Sequence, residues 1–168
     1  MKNIYLVGFM GSGKTVVGQN LATTLGREFV EMDALIEKEQ GSKIADIFAK
    51  EGETYFRKLE KTLLGELSKR EGLVISCGGG LICDQGNLKQ LKETGVVFAL
   101  TASVSTIYQR TKEHTHRPIL NVDNPQEKIK QLLEKRASYY AQADYSIGTD
   151  NLSPEEIANK IIAILNNG

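Results

Sequence analysis

The residues with the clearest chemical potential lie in one short run near the amino terminus, GFMGSGKT, whose spacing is G-x-x-x-x-G-K-T. Glycines let backbone N–H groups converge on phosphate oxygens, and a helix that begins at such a loop adds a partial positive charge. The residues expected to bind phosphates in this way are Gly11, Ser12, Gly13, Lys14 and Thr15. Lys14 is expected to reach the β- and γ-phosphates, and the Thr15 hydroxyl to bind Mg²⁺. The run therefore predicts a nucleoside triphosphate as a ligand.

Two later features place a carboxylate and bare backbone directly after apolar runs. Asp33 follows the run EFVEM, and its carboxylate could accept a hydrogen bond from a substrate hydroxyl and orient or deprotonate it. The alternative role for Asp33 is to cap the helix that the run ALIEKEQ predicts. The glycines Gly78, Gly79 and Gly80 follow the run LVIS. They indicate the close approach of a ligand or of another backbone, with a plain turn as the alternative.

Three arginines could bind an anionic substrate. Arg57 lies in the helical run GETYFRKLE, where Glu60 is close enough in sequence to form an ion pair on the helix surface instead. Arg136 lies late in a predicted helix, where a solvated position is the alternative. Arg117 lies in the polar run KEHTHRPILNVDN, residues 112–124, which is long enough to act as a lid. From there Arg117 could neutralise the charge on a transferred phosphoryl group.

Apolar runs and helical patterns alternate along the chain, and this order determines where those residues can meet. The predicted strands are Ile4–Gly8, Glu28–Met32, Leu73–Ser76, Val96–Leu100 and Tyr145–Ile147. Their continuous apolar character is typical of strands buried on both faces, so the sequence predicts a parallel α/β sheet. Ligands bind such sheets at the carboxyl ends of the strands. The glycine-lysine run, Asp33 and the three glycines all fall there.

Helix ends are also marked in the sequence. The first predicted helix runs from Lys14 to Leu25 and ends at Gly26. The runs NPQE, from Asn124, and SPEE, from Ser153, each combine a cap residue, a proline and a glutamate. Each of these two runs therefore predicts the start of a helix.

Length and composition limit the class of protein. A chain of 168 residues with 40% hydrophobic and 25% charged residues is typical of one globular domain, here 1–168. Its 21 basic residues balance its 21 acidic ones, which argues against nucleic-acid or membrane-surface binding. The first apolar run is too short for a signal segment or a membrane span. We therefore expect a cytoplasmic protein, and a monomer because no apolar heptad pattern or long apolar edge stands out.

The glycine-lysine run occurs in small-molecule kinases, regulatory GTPases and ATP-driven motors. The chain has no N-K-x-D run for reading guanine and no apolar strand that ends in Asp-Glu, and it is short for a motor. A small-molecule kinase is therefore expected. A regulatory nucleotide-binding module without catalysis stays as the alternative from a different class.

Together these motifs resemble those of the shikimate kinases, small P-loop kinases of aromatic amino-acid biosynthesis, over nearly the whole chain. The matching runs are GFMGSGKT, DALIE, GETYFRKLE, SCGGG, RPIL, and R-x3-Y followed by AD. Each run is short, but their order and spacing are specific. The resemblance implies a P-loop NTPase fold, three layers α/β/α with a five-stranded parallel sheet of order 2-3-1-4-5. It also implies ATP, Mg²⁺ and transfer of the γ-phosphoryl group to the 3-hydroxyl of shikimate.

The resemblance further implies roles for the residues of the acceptor site. Asp33 would bind and activate the hydroxyl group of shikimate. Arg57 and Arg136 would grip its carboxylate, a task that suits planar guanidinium groups. The backbone of the glycines Gly78, Gly79 and Gly80 would line the shikimate site. A helical segment at about residues 33–61 would carry part of this site.

On the nucleotide side, the resemblance implies catalytic roles for Lys14 and for Arg117 in the lid. Arg110, Asn151 and Pro154 would lie near adenine. One position departs from the family, because Glu31 stands where an aspartate that acts on Mg²⁺ through water is common. Glutamate keeps the charge and adds a methylene, so we expect a rearranged metal environment with activity retained. A related kinase for another hydroxylated acid, such as gluconate, is the nearest alternative.

Overall fold

Five apolar runs form the five strands of one parallel sheet. The computed structural model describes residues 1–113 and 121–168. The strands are β1 (Asn3–Val7), β2 (Phe29–Glu31), β3 (Val74–Ser76), β4 (Gly95–Thr101) and β5 (Tyr145–Gly148). They pair in parallel in the order β2-β3-β1-β4-β5. The predicted strands and their order are confirmed, and no strand end differs by more than one residue.

Helices follow the strands and connect them. They are α1 (Lys14–Leu25), α2 (Met32–Gln40), α3 (Ile44–Glu51), α4 (Glu53–Leu67), α5 (Gln85–Thr94), α6 (Val104–Thr111), α7 (Pro125–Tyr140) and α8 (Pro154–Asn167). A short 3-10 helix spans Leu81–Cys83. The Asn124 side chain caps α7, and Ser153 and Glu156 form a capping box at α8. The helix starts predicted from NPQE and SPEE are therefore confirmed.

Two apolar clusters lie on opposite faces of the sheet. Alternate residues of a strand point to opposite faces, and in β1 Tyr5 and Val7 join one cluster while Ile4 and Leu6 join the other. The first cluster includes side chains of α2 to α7, and the second those of α1 and α8. The three-layer arrangement is thus confirmed. Among the described residues, none of the helices has the length and apolar character needed to cross a membrane.

Candidate active site

The glycine-lysine run forms a loop between the carboxyl end of β1 and the start of α1. Gly8 has φ 147°, and a β-carbon there would overlap the carbonyl oxygen of Leu100, so only glycine fits. Lys14 Nζ donates to the carbonyl oxygens of Gly8 at 2.8 Å and Phe9 at 3.0 Å. The Ser12 hydroxyl is fully buried, and none of the described residues offers it a hydrogen bond. This loop fits the polyphosphate of a nucleotide, because glycine backbone and an ammonium group meet at a helix start.

Glu31 links the phosphate loop to the end of β3. Thr15 Oγ1 donates to Glu31 Oε2 at 2.5 Å, and Ser76 Oγ donates to Glu31 Oε1 at 3.0 Å. Glu31 occupies the N-cap position of α2, yet its carboxylate makes no capping hydrogen bond there. A hydroxyl and a carboxylate side by side are the oxygen ligands that Mg²⁺ prefers. Thr15, the predicted metal ligand, and Glu31 therefore fit a magnesium ion.

Arg110, in the last turn of α6, joins the phosphate loop to the end of β5. Its Nη1 donates to the carbonyl oxygen of Gly11 at 3.0 Å and to Thr149 Oγ1 at 3.2 Å. Asn151, with φ 58°, and Pro154, at the start of α8, follow in the next connection. In the described part of the chain, neither of these two residues hydrogen-bonds to the phosphate loop. Of the three predicted adenine-site residues, Arg110 is thus the one that hydrogen-bonds to the loop within the described residues.

The first glycine after β3 brings two carboxylates together. A β-carbon on Gly78 would overlap Glu60 Oε1 and would lie 3.0 Å from Asp33 Oδ1. Asp33 lies in the first turn of α2, whose N-cap residue is Glu31. The alternative that Asp33 caps this helix is therefore wrong. The absence of a side chain at Gly78 makes room for a pair of acidic groups beside the sheet.

The next two glycines bring two arginines to the same place. A β-carbon on Gly80 would lie 2.5 Å from Arg57 Nη2. A β-carbon on Gly79 would lie 3.4 Å from Arg136 Nη1 and 3.5 Å from the carbonyl oxygen of Gly8. The three glycines therefore lie where α4, α7 and the phosphate loop meet. This close approach, rather than a plain turn, accounts for the missing side chains.

Arg57 is held by acidic partners on its own helix, one of which is deeply buried. Its Nη1 donates to Glu60 Oε2 at 2.6 Å, and its Nη2 to Glu53 Oε1 at 3.2 Å. Glu60 is only 1% exposed, so the alternative of an ion pair on the helix surface is wrong. Burial raises the pKa of Glu60, and the Arg57 guanidinium opposes that rise. Burial works to lower the pKa of Arg57, but its two ion pairs outweigh burial and raise it.

The sequence interpretation misses Glu60 as a site residue, because it predicts for Glu60 only an ion pair with Arg57. The signal was present in the spacing of α4. Phe56, Leu63 and Leu67 are buried at intervals typical of a helix face, and Glu60 lies on that same face. A carboxylate on the buried, apolar face of a helix indicates a charge that is paired with another group.

Arg136 and Tyr140 lie one turn apart on α7 and both contact the acceptor side of the site. The Tyr140 hydroxyl donates to the carbonyl oxygen of Gly79 at 2.7 Å. Burial raises the pKa of Tyr140 to about 12, so the phenol stays protonated and can donate at neutral pH. The Arg136 guanidinium carbon lies 5.6 Å from the centre of the Phe9 ring. Arg136 is therefore not a purely solvated residue. Arg117 and most of the predicted lid, residues 114–120, lie outside the described residues.

The fold and the site together define a class. A phosphate loop after β1, a sheet of order 2-3-1-4-5 and a second, charged site beside the loop are the features of a small P-loop kinase. The model of the family described as shikimate kinase matches residues 10–166. A shikimate kinase of Thermodesulfovibrio yellowstonii is 48% identical over 162 residues, covering 96% of this chain and 94% of that protein. One from Persephonella marina is also 48% identical, with 96% and 98% covered.

A solved structure agrees with these relatives. The shikimate kinase from Acinetobacter baumannii in complex with shikimate has a TM-score of 0.94 and 44% sequence identity, covering 99% of this chain and 94% of that one. The chain belongs to the shikimate kinase family. It is accordingly an ATP-dependent kinase, and the family uses ATP with Mg²⁺.

Proposed function

We propose that the chain transfers the γ-phosphoryl group of ATP to the 3-hydroxyl of shikimate, giving shikimate 3-phosphate and ADP. The observation that carries this proposal is the meeting of two arginines and two carboxylates at the three glycines, beside the phosphate loop. A β-carbon on Gly79 would lie 3.4 Å from Arg136 Nη1 and 3.5 Å from the Gly8 carbonyl oxygen. The acceptor and the phosphate donor would therefore lie next to each other, as direct transfer requires.

Arg57 and Arg136 would bind the carboxylate of shikimate. Each planar guanidinium can donate two parallel hydrogen bonds to a carboxylate, which fixes orientation as well as position. Arg57 is held in place by Glu60, at 2.6 Å. The neighbouring backbone of Gly79 and Gly80 would line the remaining side of the ring.

Asp33 would accept a hydrogen bond from the 3-hydroxyl and orient it towards the phosphate. Its Oδ1 is buried, and its helix begins at the end of β2, near the phosphate loop. A carboxylate in this position can also take the proton as the new P–O bond forms. Repulsion by the Asp33 carboxylate adds to the burial that raises the pKa of Glu60, whereas the positive charges of Arg57 and Arg136 oppose this rise.

On the donor side, Lys14 would leave its two carbonyl partners to contact the phosphates, and Thr15 with Glu31 would hold Mg²⁺. A bound Mg²⁺ would neutralise charge on the phosphate oxygens. Arg110, together with Asn151 and Pro154, would line the adenine side. The catalytic role proposed for Arg117 depends on the family resemblance.

We also propose that residues 1–168 act as one domain, with a substrate-binding segment at about 33–61 and a lid at about 112–124. We further propose a cytoplasmic monomer. The exposed large apolar side chains in the described residues come from separate segments of the chain, and this supports a monomer. They are Met1, Val16, Tyr55, Val122 and Tyr145.

The position of the new phosphate tests the proposed reaction. The product formed from Mg·ATP and shikimate is expected to show, by phosphorus–proton NMR, coupling between the phosphate and the ring proton at carbon 3. The same reaction with gluconate is expected to give no phosphorylated product. A phosphate on another hydroxyl group would contradict the proposed orientation by Asp33, and phosphorylated gluconate would contradict the proposed acceptor.

Arg136→Ala is expected to raise the KM for shikimate by roughly tenfold to a hundredfold, because one charged arm of the carboxylate clamp is lost. The kcat and the KM for ATP should change much less. Steady-state kinetics with each substrate varied in turn would measure this. Lys135→Ala, at an exposed neighbouring position, is the matched control. A change confined to the KM for ATP would mean that Arg136 does not bind the acceptor.

Gly80→Ala is expected to displace Arg57 while leaving the fold intact. Gly80 has φ −101° and ψ −2°, which alanine adopts readily, but the new methyl group would lie 2.5 Å from Arg57 Nη2. We expect the KM for shikimate to rise roughly tenfold or more as the clamp loses alignment. Gly65→Ala, in α4 with open space around it, is the control. Gly65→Ala should raise the melting temperature slightly and leave the KM for shikimate unchanged. Equal KM values for shikimate in the two variants would refute the contact between position 80 and Arg57.

A further inference from the structure

We propose that Phe9 is a positioning residue for the acceptor site. Its ring, supplied by the phosphate loop, holds the Arg136 guanidinium in the orientation that receives the substrate carboxylate. This inference rests on the proposed function and assigns a task to a loop position whose side chain the G-x-x-x-x-G-K-T pattern leaves unspecified.

Phe9 has a well-fixed position in the phosphate loop. Its side chain is 1% exposed, and its carbonyl oxygen accepts a hydrogen bond from the Ser12 backbone N–H at 3.1 Å, a contact that does not depend on where Lys14 points. A hydrogen bond within the loop holds the backbone of Phe9, and packing in the apolar core holds its side chain. A guanidinium that lies against such a ring therefore has a fixed reference surface.

The Arg136 guanidinium lies against the ring of Phe9. The guanidinium carbon of Arg136 lies 5.6 Å from the ring centre of Phe9, within the distance at which a cation is attracted to an aromatic face. The backbone at Gly79 approaches the same guanidinium, since a β-carbon there would lie 3.4 Å from Arg136 Nη1. Tyr140, one turn along α7, holds the Gly79 carbonyl at 2.7 Å. The Phe9 ring and the backbone at Gly79 together restrict the position of the Arg136 guanidinium.

The two arginines differ in their acidic partners. Arg57 is bound by Glu60 and Glu53. Within residues 1–113 and 121–168, by contrast, no carboxylate lies within ion-pair distance of Arg136. An aromatic face attracts a cation without occupying its N–H donors. The Tyr140 hydroxyl accepts a hydrogen bond from Arg136. Phe9 thus orients Arg136 without occupying any further donor, and leaves its charge and its other N–H groups for the carboxylate of the substrate.

The test is Phe9→Leu, which keeps an apolar side chain and removes the ring. We expect the KM for shikimate to rise by roughly three- to thirtyfold, the range of cation–π contacts, with kcat and the KM for ATP within about twofold. Phe98→Leu is the matched control, because it removes a buried ring of β4 from the apolar cluster on the opposite face of the sheet from Phe9. It should lower the melting temperature without changing the KM for shikimate.

A double-mutant cycle separates this role from a general loss of packing. In the Arg136→Ala background, Phe9→Leu is expected to cause no further rise in the KM for shikimate, because the ring acts through the arginine. Additive effects of the two substitutions would overturn the inference. So would an unchanged KM in Phe9→Leu alone.

If Phe9→Leu does not accumulate as folded protein, Phe9→Met, with an unbranched apolar side chain, gives the same test with the same expected results. Unaltered protein is assayed in parallel. Absence of shikimate-dependent turnover there would overturn the proposed function, whereas normal turnover with an unaffected Phe9 variant would overturn only the role of Phe9.

Discussion

Lys14→Ala is expected to lower kcat by at least about a hundredfold, and to near the limit of detection. The Lys14 ammonium lies over the phosphate loop, where it donates to the carbonyl oxygens of Gly8 and Phe9. From there it can neutralise charge that develops on the transferred phosphoryl group. Loss of one such group costs on the order of 3 kcal/mol in the transition state. Initial rates of ADP formation at saturating ATP and shikimate would measure the loss.

Lys89→Ala provides the control for this experiment. Lys89 is an exposed lysine on α5, with 78% of its side chain accessible and a loose ion pair to Glu93. Its removal should leave kcat unchanged, because exposed pairs contribute little. Turnover at the normal rate in Lys14→Ala would refute the assignment of the phosphate loop.

Asp33→Asn is expected to lower kcat by about a hundredfold to ten-thousandfold, the usual contribution of a positioned acid or base. Asparagine keeps the shape of the side chain and its ability to hydrogen-bond, but it cannot take a proton. The KM for shikimate should therefore change much less than kcat. Steady-state rates with shikimate varied at saturating ATP would separate the two parameters.

Asp46→Asn is the matched control for Asp33→Asn, because Asp46 also lies in the first turn of a helix but is exposed on α3. It should have full activity. A normal kcat in Asp33→Asn, with only the KM for shikimate raised, would mean that Asp33 binds the substrate without activating it.

The strands and the helix ends could be predicted from the sequence because their causes are local. Continuous apolar runs mark the buried strands, and no strand end differs from its prediction by more than one residue. At Ser153 and Asn124 the cap, proline and glutamate lie within four residues of one another. Local chemistry of this kind does not depend on the rest of the fold.

The acceptor site could be predicted only in part from the residues themselves. Ligands bind at the carboxyl ends of parallel strands, and this rule predicts Asp33 and the three glycines as site residues. Arg57 and Arg136, however, lie on α4 and α7, and they meet at the glycines only because both helices pack against the short 3-10 helix that follows them. The spacing alone is also compatible with a surface role for each arginine. Only the family resemblance predicts that both arginines bind the same carboxylate.

The contacts of Glu31 could not be predicted from the sequence, for a different reason. The sequence shows the exchange of aspartate for glutamate, and it predicts a rearranged metal environment. The contacts with Thr15 Oγ1 and Ser76 Oγ depend on side-chain torsions that no sequence pattern encodes. They show that the longer side chain reaches the Thr15 hydroxyl, the predicted metal ligand, directly.

The most direct test of the central claim is ADP release from Mg·ATP by the purified protein, measured without acceptor, with shikimate and with gluconate. We expect ADP to form only in the presence of shikimate. ADP formation that is independent of shikimate, or that depends on gluconate instead, would contradict the acceptor site built from Asp33, Arg57 and Arg136. Nucleotide binding without turnover on any acceptor would contradict the assignment of the chain as an active kinase.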